Sequence, residues 1–292
     1  MSHTQPSAKQ ASNHGEGDTV ATFKSGALKL KVNALHGARI VSFSSHDIEV
    51  LTQPGEHAEN FGSTLWDAPQ ARWGWPPPLT LDSAPYQLSR DETRLEFASA
   101  IDQASGLQFT KRVRAGNACI EIEYGITNTG KQPISTAAWE ISRSPAGLTF
   151  LPSSQLTATA ETTLPGVQFK DGYAWYQIDP APLDIGKKAF FDVDAGWLAH
   201  VTPNRQLFIK SFTPLLPHQY SPGHAAVEVY AHIDGAYVEL ENHGPCTLLQ
   251  PGESLSYVVH WYTQAVPSDI KLQIGNQKLV EFAQEILRSE KA

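Results

Sequence analysis

Strict alternation of apolar and polar residues in short runs is the feature that most limits how this chain can fold. From Cys119 to Thr127 the apolar side chains occupy every second position, so an extended strand would bury one face and expose the other. The turn Asn128-Thr-Gly130 then leads into Ile134 to Ile141, which we interpret as the hairpin partner of that strand. Similar runs recur along the chain without crossover helices between them. The sequence therefore predicts antiparallel sheets and disfavours a parallel α/β fold.

Ionisable residues cluster on the strands predicted for the last third of the chain. Three consecutive antiparallel strands are expected there, at Val227 to His232, Tyr237 to Glu241 and Leu255 to Tyr262. On the second strand Glu239 and Glu241 share one face, with about 7 Å between them by the rise of a strand. On the first strand Tyr230 shares a face with Glu228 and His232. Such a face either meets water or lines a polar cleft, and the pattern leaves both open.

Three further polar residues have two interpretations each. In the strand from Ile134, alternation places Trp139 and Glu140 on opposite faces, and Glu140 is either an edge-strand residue in solvent or part of a pocket. Lys210, between apolar strand residues, is either a cation held in a pocket or a side chain that extends to water. His218 lies in a loop, and scattered histidines are more often structural than metal ligands, so we expect no metal.

The stretch from 61 to 78 is the most unusual in composition, because three of the seven tryptophans fall within ten positions. Trp66, Trp73 and Trp75 offer flat apolar faces, whereas Gln70 and Arg72 offer hydrogen-bonding groups. Sugars present both apolar C–H faces and hydroxyls, and the following prolines would stiffen the segment before a ligand arrives. The alternative is an aromatic lid over a hydrophobic core.

Composition limits the partners of the chain. A formal charge of −8 argues against nucleic acid and anionic membranes, and no apolar run approaches the roughly 18 residues of a membrane span. No cofactor-binding motif is present, so no cofactor is expected. We predict a disordered tail at 1–18, one domain at 19–292, and a C-terminal helix at about 276–289 with a packing role. The compartment and the oligomeric state stay open.

Several motifs together resemble the aldose 1-epimerase (galactose mutarotase) superfamily. They are His36-Gly-Ala-Arg-Ile-Val-Ser-Phe43, the stretch 61 to 78, Asn128-Thr-Gly130, Leu240-Glu241-Asn-His-Gly-Pro245 and Leu249-Gln-Pro-Gly-Glu253. The resemblance spans about residues 20 to 265 and is closest to the branch with an Ala-Pro-Gln-x-Arg-Trp-Gly-Trp-Pro signature. It implies an all-β fold, a β-supersandwich of antiparallel sheets with the ligand site on a concave sheet face.

The resemblance also implies roles for particular residues. In mutarotases a late-strand Glu takes the anomeric hydroxyl proton and an early Arg holds sugar hydroxyls. These match Glu241, with Glu239 as the second candidate, and Arg72. The family's mid-chain His, which donates to the ring oxygen, is missing, and Trp139-Glu140-Ile-Ser142 stands in its place. Ring opening needs an acid as well as a base, and the remaining candidates for the acid are Glu140 and the histidines His218 and His232.

The leading hypothesis is a carbohydrate-active, epimerase-like enzyme that moves a proton near the anomeric carbon of a small sugar or oligosaccharide. Glu241 is the expected base, with Glu140 or a histidine as the acid. The expected binding residues are the clamps Arg72, Gln70 and Lys210 and the stacking walls Trp66, Trp73, Trp75 and Trp139. One rival is β-elimination from a uronate polysaccharide, with Lys210 or Arg72 neutralising the carboxylate and Tyr230 or His218 taking the proton. The other is a glycan-binding module without catalysis.

Overall fold

The computed structural model describes residues 19–158, 160–178, 183 and 186–289. The predicted tail at 1–18 lies outside the described residues. In the first half of the chain the strands are β1 (Val20–Ser25), β2 (Leu28–Asn33), β3 (Arg39–Ser45), β4 (Ile48–Glu49), β5 (Ser63–Ala68), β6 (Gln87–Arg90), β7 (Arg94–Ala98), β8 (Leu107–Ala115), β9 (Ile120–Asn128) and β10 (Ile134–Pro145).

The second half continues in the same way and ends in a helix. Its strands are β11 (Leu148–Leu151), β12 (Gln168–Lys170), β13 (Tyr173–Gln177), β14 (Lys187–Phe191), β15 (Trp197–Val201), β16 (Gln206–Phe212), β17 (Val227–Ala231), β18 (Tyr237–His243), β19 (Thr247–Leu249) and β20 (Ser254–Ala265). The helices are α1 (Leu79–Asp82), α2 (Gln277–Ser289) and the short 3₁₀ helices Gln70–Arg72 and Pro217–Gln219. Within the described ranges, no helix is long and apolar enough to span a membrane.

The strands form two antiparallel sheets. The first sheet has the order β1-β2-β3-β5-β10-β18-β17-β14, with β4 added beside β3 and β19 beside β10. The second sheet has the order β12-β13-β11-β15-β16-β20-β9-β8-β7-β6. The prediction of an all-β sandwich of antiparallel sheets with a short C-terminal helix is confirmed.

The main hydrophobic core lies between the sheets. Phe43 on β3 contacts Trp261 on β20 and Phe208 on β16, with 5.3 and 5.7 Å between ring centres. All three side chains are buried. Since β3 belongs to the first sheet and the other two strands to the second, this contact fixes which face of each sheet points inward.

The two outward faces are covered differently. On the second sheet, Trp197 and Tyr262 pack with Leu279, Val280 and Ala283 of α2 in a second apolar cluster. On the first sheet the outward apolar cluster is small and consists of Trp66, Ala68, Ala137, Trp139 and Ile141, with Trp73 packed against it. A group of polar side chains lies beside this small cluster, where the indole N–H of Trp139 donates to Glu241.

Candidate functional site

The outer face of the first sheet, which points away from the second sheet, collects side chains from five neighbouring strands. Antiparallel pairing sets Trp139 on β10 opposite Trp66 on β5 and opposite His243 on β18. Glu241 on β18 is set opposite Glu228 on β17. Residues that pair directly point to the same face of a sheet. The register therefore brings two carboxylates, an imidazole and two indoles together from distant parts of the sequence.

An ammonium group joins the two carboxylates. Lys188 on β14 places Nζ 2.8 Å from Glu228 Oε2 and 2.8 Å from Glu241 Oε1. The same nitrogen is 2.9 Å from Glu241 Oε2, and this oxygen also accepts the indole N–H of Trp139 at 2.6 Å. Glu241 is thus held between a cation and an indole.

Two imidazoles contact the other carboxylate. His224 Nδ1 and His243 Nε2 lie 2.8 and 2.9 Å from Glu228 Oε1. The backbone N–H of Gln70 donates to His224 Nε2 at 3.3 Å, which leaves Nδ1 as the protonated nitrogen facing Glu228. His243 stacks on the indole of Trp139 with 5.4 Å between ring centres. These five residues are called the polar cluster below: Lys188, His224, Glu228, Glu241 and His243.

The two carboxyl groups, Glu228 and Glu241, differ greatly in pKa. Burial opposes the charge of Glu228, but the Lys188 ammonium and the His243 imidazole outweigh it and keep the pKa of Glu228 well below its ordinary value. Burial raises the pKa of Glu241 to about 8; Lys188 acts against this rise, and the charge of Glu228 adds to it. Near neutral pH, Glu228 is therefore ionised and Glu241 is poised to gain or lose a proton.

A wall of four indoles runs beside the polar cluster. The ring centre of Trp66 is 5.2 Å from that of Trp139, 5.9 Å from that of Trp73 and 5.8 Å from that of Trp75, each in an edge-to-face arrangement. Trp66 and Trp139 are buried, whereas the side chain of Trp75 is 69% exposed. The four tryptophans of the sequence hypothesis thus lie together, and their contact with a sugar stays a prediction.

Arg72 is not brought to the polar cluster. Its guanidinium forms an ion pair with the buried Asp67 and donates to the backbone oxygen of Ser135 at 3.3 Å. These contacts place it in a separate cleft of about 590 Å³ that Asp102 also lines. Gln70, for its part, reaches the cluster through its backbone N–H, in the contact with His224 given above. A role for the Arg72 side chain in holding sugar hydroxyls beside Glu241 therefore has no support from its position.

Glu140 and Lys210 lie on the opposite face, between the sheets. Lys210 Nζ is 3.1 Å from Glu140 Oε1 and donates to the backbone oxygen of Leu240 at 2.6 Å, and both charged side chains are fully buried. The expectations of an edge-strand Glu140 in solvent and of a Lys210 that extends to water are both wrong. The reason is that β10 is a central strand of the first sheet. Its face that carries Glu140 points towards β16 of the second sheet. We leave both residues out of the proposed site.

The remaining four candidates have other surroundings. Glu239 is on the same face as Glu241, but its carboxylate accepts a hydrogen bond from Arg143 Nε at 2.8 Å. Tyr230 is half-buried and pairs in register with Lys188. His218 is exposed on the 3₁₀ helix Pro217–Gln219, and His232 is hydrogen-bonded to Asp234 at 2.6 Å. None of these four belongs to the polar cluster as defined.

Sequence reasoning did not select four of the five members of the polar cluster. Glu228 was placed on a polar strand face without a role, and alternation from Glu241 along β18 would have found His243. Lys188 and His224 carry no such signal. Lys188 follows an irregular stretch rich in Pro and Gly, and His224 precedes β17 in a loop, so only the pairing of β14 with β17 reveals their position.

Within the described residues, one group of side chains could ligate a metal ion. It consists of His224, Glu228 and His243, whose donor atoms lie within 4.8 Å of one another. Two imidazoles and a carboxylate suit Zn²⁺ or Fe²⁺. Two contacts oppose a metal here. The Lys188 ammonium already neutralises Glu228, and a metal on His224 Nδ1 would leave a proton on Nε2, which faces the N–H of Gln70. The group therefore fits a hydrogen-bonded network better, and the proposals below use no metal.

The comparison with known families gives one match. The sequence profile of a family described as "Domain of unknown function (DUF4380)" matches residues 55–264. No curated protein matches the chain.

Solved structures show where the fold occurs elsewhere. The Slr1438 protein from Synechocystis sp. PCC 6803 is similar with a TM-score of 0.60 and 12% identity, over 89% of this chain and 100% of that one. A putative aldose 1-epimerase from Escherichia coli K12 gives 0.55 and 14%, over 85% and 99%. A galactose mutarotase-like protein from Lactobacillus casei ATCC 334 gives 0.55 and 10%, over 84% and 100%. At such identities the likeness shows the fold alone, which is galactose mutarotase-like, as the sequence predicted.

Proposed function

Because the chain belongs to the DUF4380 family, whose description names no activity, we propose its function from its geometry. The protein binds a sugar on the outer face of the first sheet and moves a proton at or near the anomeric carbon, as an aldose 1-epimerase does. The observation that carries this proposal is the position of Glu241, a fully buried carboxyl that accepts hydrogen bonds from Trp139 and Lys188 and whose pKa burial raises to about 8. An acid/base group works best when its pKa lies near the working pH.

The surroundings of Glu241 suit a group that changes its charge during a reaction. The indole N–H of Trp139 and the ammonium of Lys188 both donate to Glu241 and favour its ionised form. Burial favours the protonated form, so the two states are close in free energy. Glu228 remains ionised beside it and keeps Lys188 charged. Two carboxylates in contrasting environments, one permanently ionised and one near neutrality, are typical of acid/base sites.

The aromatic wall supports a sugar as the ligand. Trp75 is largely exposed and is fixed against Trp66, so its ring offers a flat apolar surface for the C–H face of a pyranose. The polar cluster lies beyond Trp66 and Trp139 along the same face. A ligand with one apolar face and a rim of hydroxyls can contact both.

Elimination from a uronate has less support, because the cations assigned to neutralise its carboxylate are already paired. Lys210 is bound to Glu140 in the core and Arg72 to Asp67. A glycan-binding module without catalysis is the second candidate. The observations that favour it are the complete burial of Glu241 and the exposure of Trp75.

The substitution Glu241→Gln tests the proposal, since it keeps the shape of the side chain and removes its titration. We expect the enzyme-catalysed equilibration of freshly dissolved α-D-glucose or α-D-galactose, followed by polarimetry, to fall by about 10²- to 10⁴-fold. Glu253→Gln, in an exposed turn, is the matched control and should retain the wild-type rate. If the wild type and Glu241→Gln equilibrate every sugar tested at the same rate, the proton-transfer proposal is wrong. Retained sugar binding without turnover in the wild type would point to the binding module.

A further inference from the structure

We propose that Lys188 is the first residue of the polar cluster that a substrate meets, and that it is the acid of the reaction in which Glu241 is the base. This inference rests on the proposed function. It assigns the missing proton donor to a lysine on the edge strand of the first sheet, at a position where no sequence motif marks it.

Within the polar cluster, Lys188 has the most exposed side chain. The side chains of Glu228, Glu241 and His243 are fully buried, whereas the side chain of Lys188 retains 23% of its accessible surface. A ligand that approaches from solvent therefore meets the ammonium group before it meets either carboxylate. Lys188 Nζ lies 2.8 and 2.9 Å from the two carboxylate oxygens of Glu241, so a ligand bound to the ammonium group is also close to the charge of this carboxylate.

The ammonium group has hydrogen-bonding capacity left for a ligand. A lysine carries three N–H donors, and the two carboxylates account for two of them, one to Glu228 Oε2 and one to Glu241. The third donor can serve a substrate oxygen. Nζ also lies 5.0 Å from the ring centre of Trp139 and 5.8 Å from that of Phe190, and these cation–π contacts help to hold it in place.

The two neighbouring carboxylates keep the amine of Lys188 in its charged form, against the effect of burial. Burial opposes the charge of Lys188, but Glu241 and Glu228 outweigh it and raise the pKa of the lysine above its ordinary value. An alkoxide formed when a sugar ring opens is a stronger base than a lysine amine. The ammonium can therefore protonate the alkoxide, although it would not protonate a neutral hydroxyl.

The proton transfer balances without any added reagent. Ionised Glu241 takes the proton of the anomeric hydroxyl, the C1–O1 bond becomes a carbonyl, and the C1–O5 bond breaks with its electron pair on O5. Lys188 gives a proton to O5 and regains one from Glu241 across their hydrogen bond. Both groups return to their starting states. Closure of the ring on the other face of the carbonyl, by the reverse steps, gives the second anomer.

The test compares two adjacent lysines. Lys188→Met removes the ammonium and keeps much of the chain length, whereas Lys187→Met is the matched control, since the neighbouring side chain on β14 points to the opposite face. By polarimetry with α-D-glucose and α-D-galactose, we expect Lys188→Met to lose about 10²-fold in kcat, the size of effect found when a donor to developing charge is removed. KM should change much less. Lys187→Met should behave as the wild type.

A pH profile separates this role from a structural one. Lys188 lowers the pKa of Glu241, so its removal should move the pH dependence of the residual activity to higher pH. A merely structural loss would reduce the rate at every pH without moving the profile. Lys188→Arg, which keeps the charge, should retain the wild-type profile and part of the activity.

The outcomes distinguish the two proposals. If the wild type is active and Lys188→Met is as active as Lys187→Met, the role of Lys188 is refuted while the proposed function stands. If the wild type binds these sugars without interconverting them, proton transfer is refuted. In that case, weaker sugar binding in Lys188→Met than in Lys187→Met, measured by tryptophan fluorescence, supports the ligand contact, and equal binding overturns it. A wild type that neither binds nor converts them refutes both.

Discussion

At the scale of single residues, the ionisation of Glu241 controls the proposed reaction. If the ionised carboxylate is the base, the rate of anomer equilibration should rise with pH and level off above about pH 8, because the pKa of Glu241 is raised to about 8. The rate rises with pH because, below this pH, the carboxyl is protonated and cannot accept the hydroxyl proton. A rate–pH profile of the wild type between pH 5 and 9.5 measures it. A midpoint near the ordinary value of a glutamic acid would show that Glu241 is not the titrating base.

Glu241 and Glu228 are chemically identical side chains, but their different surroundings give them different roles in the proposed reaction. Glu228 and Glu241 pair directly across β17 and β18 and share Lys188. Glu228 has the additional contacts of His224 and His243, whereas Glu241 has only an indole N–H. Burial acts on both carboxyls, but the contacts of Glu228 lower its pKa, and its charge in turn raises the pKa of Glu241. The histidines contribute by fixing the charge of Glu228.

At the scale of elements, β10 shows what the sequence could predict and what it could not. Alternation placed Trp139 and Glu140 on opposite faces, and the structure agrees. It could not tell which face meets the second sheet, because that depends on packing against β16, far away in sequence. The sequence therefore left the surroundings of Glu140 open between solvent and a pocket. The strand was predicted, but its expected hairpin with the preceding strand was wrong, because β10 pairs with β5 and β18 and β9 lies in the second sheet.

The edge strand β14 shows a different limit. Lys188 enters the polar cluster because β14 pairs with β17 and its side chain reaches past that strand to Glu241 on β18. A five-residue strand after an irregular stretch carries too little pattern to predict such a pairing. By contrast, Glu241 was predicted from a regular strand and from a resemblance that names one late glutamate. The position of Glu241 on its strand followed from local pattern and its proposed role from the resemblance, whereas only long-range pairing reveals Lys188 beside it.

The C-terminal helix was predicted from its apolar stripe to have a packing role, and α2 gives a test of that role. Leu279 is fully buried against the outward apolar cluster of the second sheet. Replacement by Ala removes buried methyl groups and leaves a cavity, so we expect the free energy of unfolding to fall by about 2 to 4 kcal/mol. Glu281→Ala, on the exposed face of the same helix, is the control. Urea unfolding measures both, and equal midpoints would show that the helix adds nothing to the core.

At the scale of the whole molecule, the two sheets have separate tasks. The second sheet is covered on its outward face by α2 and the segment before it, so it packs on both sides. The first sheet has only a small apolar cluster on its outward face, and the polar cluster and the indole wall lie beside it. The sandwich thus leaves one face of one sheet for the proposed chemistry, and the core packs against the other face of that sheet.

The buried pair Lys210–Glu140 joins the two sheets and gives the last prediction. Both side chains are fully buried, and burial lowers the pKa of Lys210, so each charge depends on the other. Lys210→Met leaves Glu140 unpaired between the sheets, and we expect the free energy of unfolding to fall by about 3 to 5 kcal/mol in denaturant titrations. The double variant Lys210→Met/Glu140→Gln removes both charges and should recover about 1 to 2 kcal/mol of that loss. Lys29→Met, which breaks a surface pair with Asp47, should leave the unfolding midpoint unchanged. A double variant no more stable than Lys210→Met would show that Lys210 contributes by packing its alkyl chain, and that the charge of Glu140 needs no partner in the core.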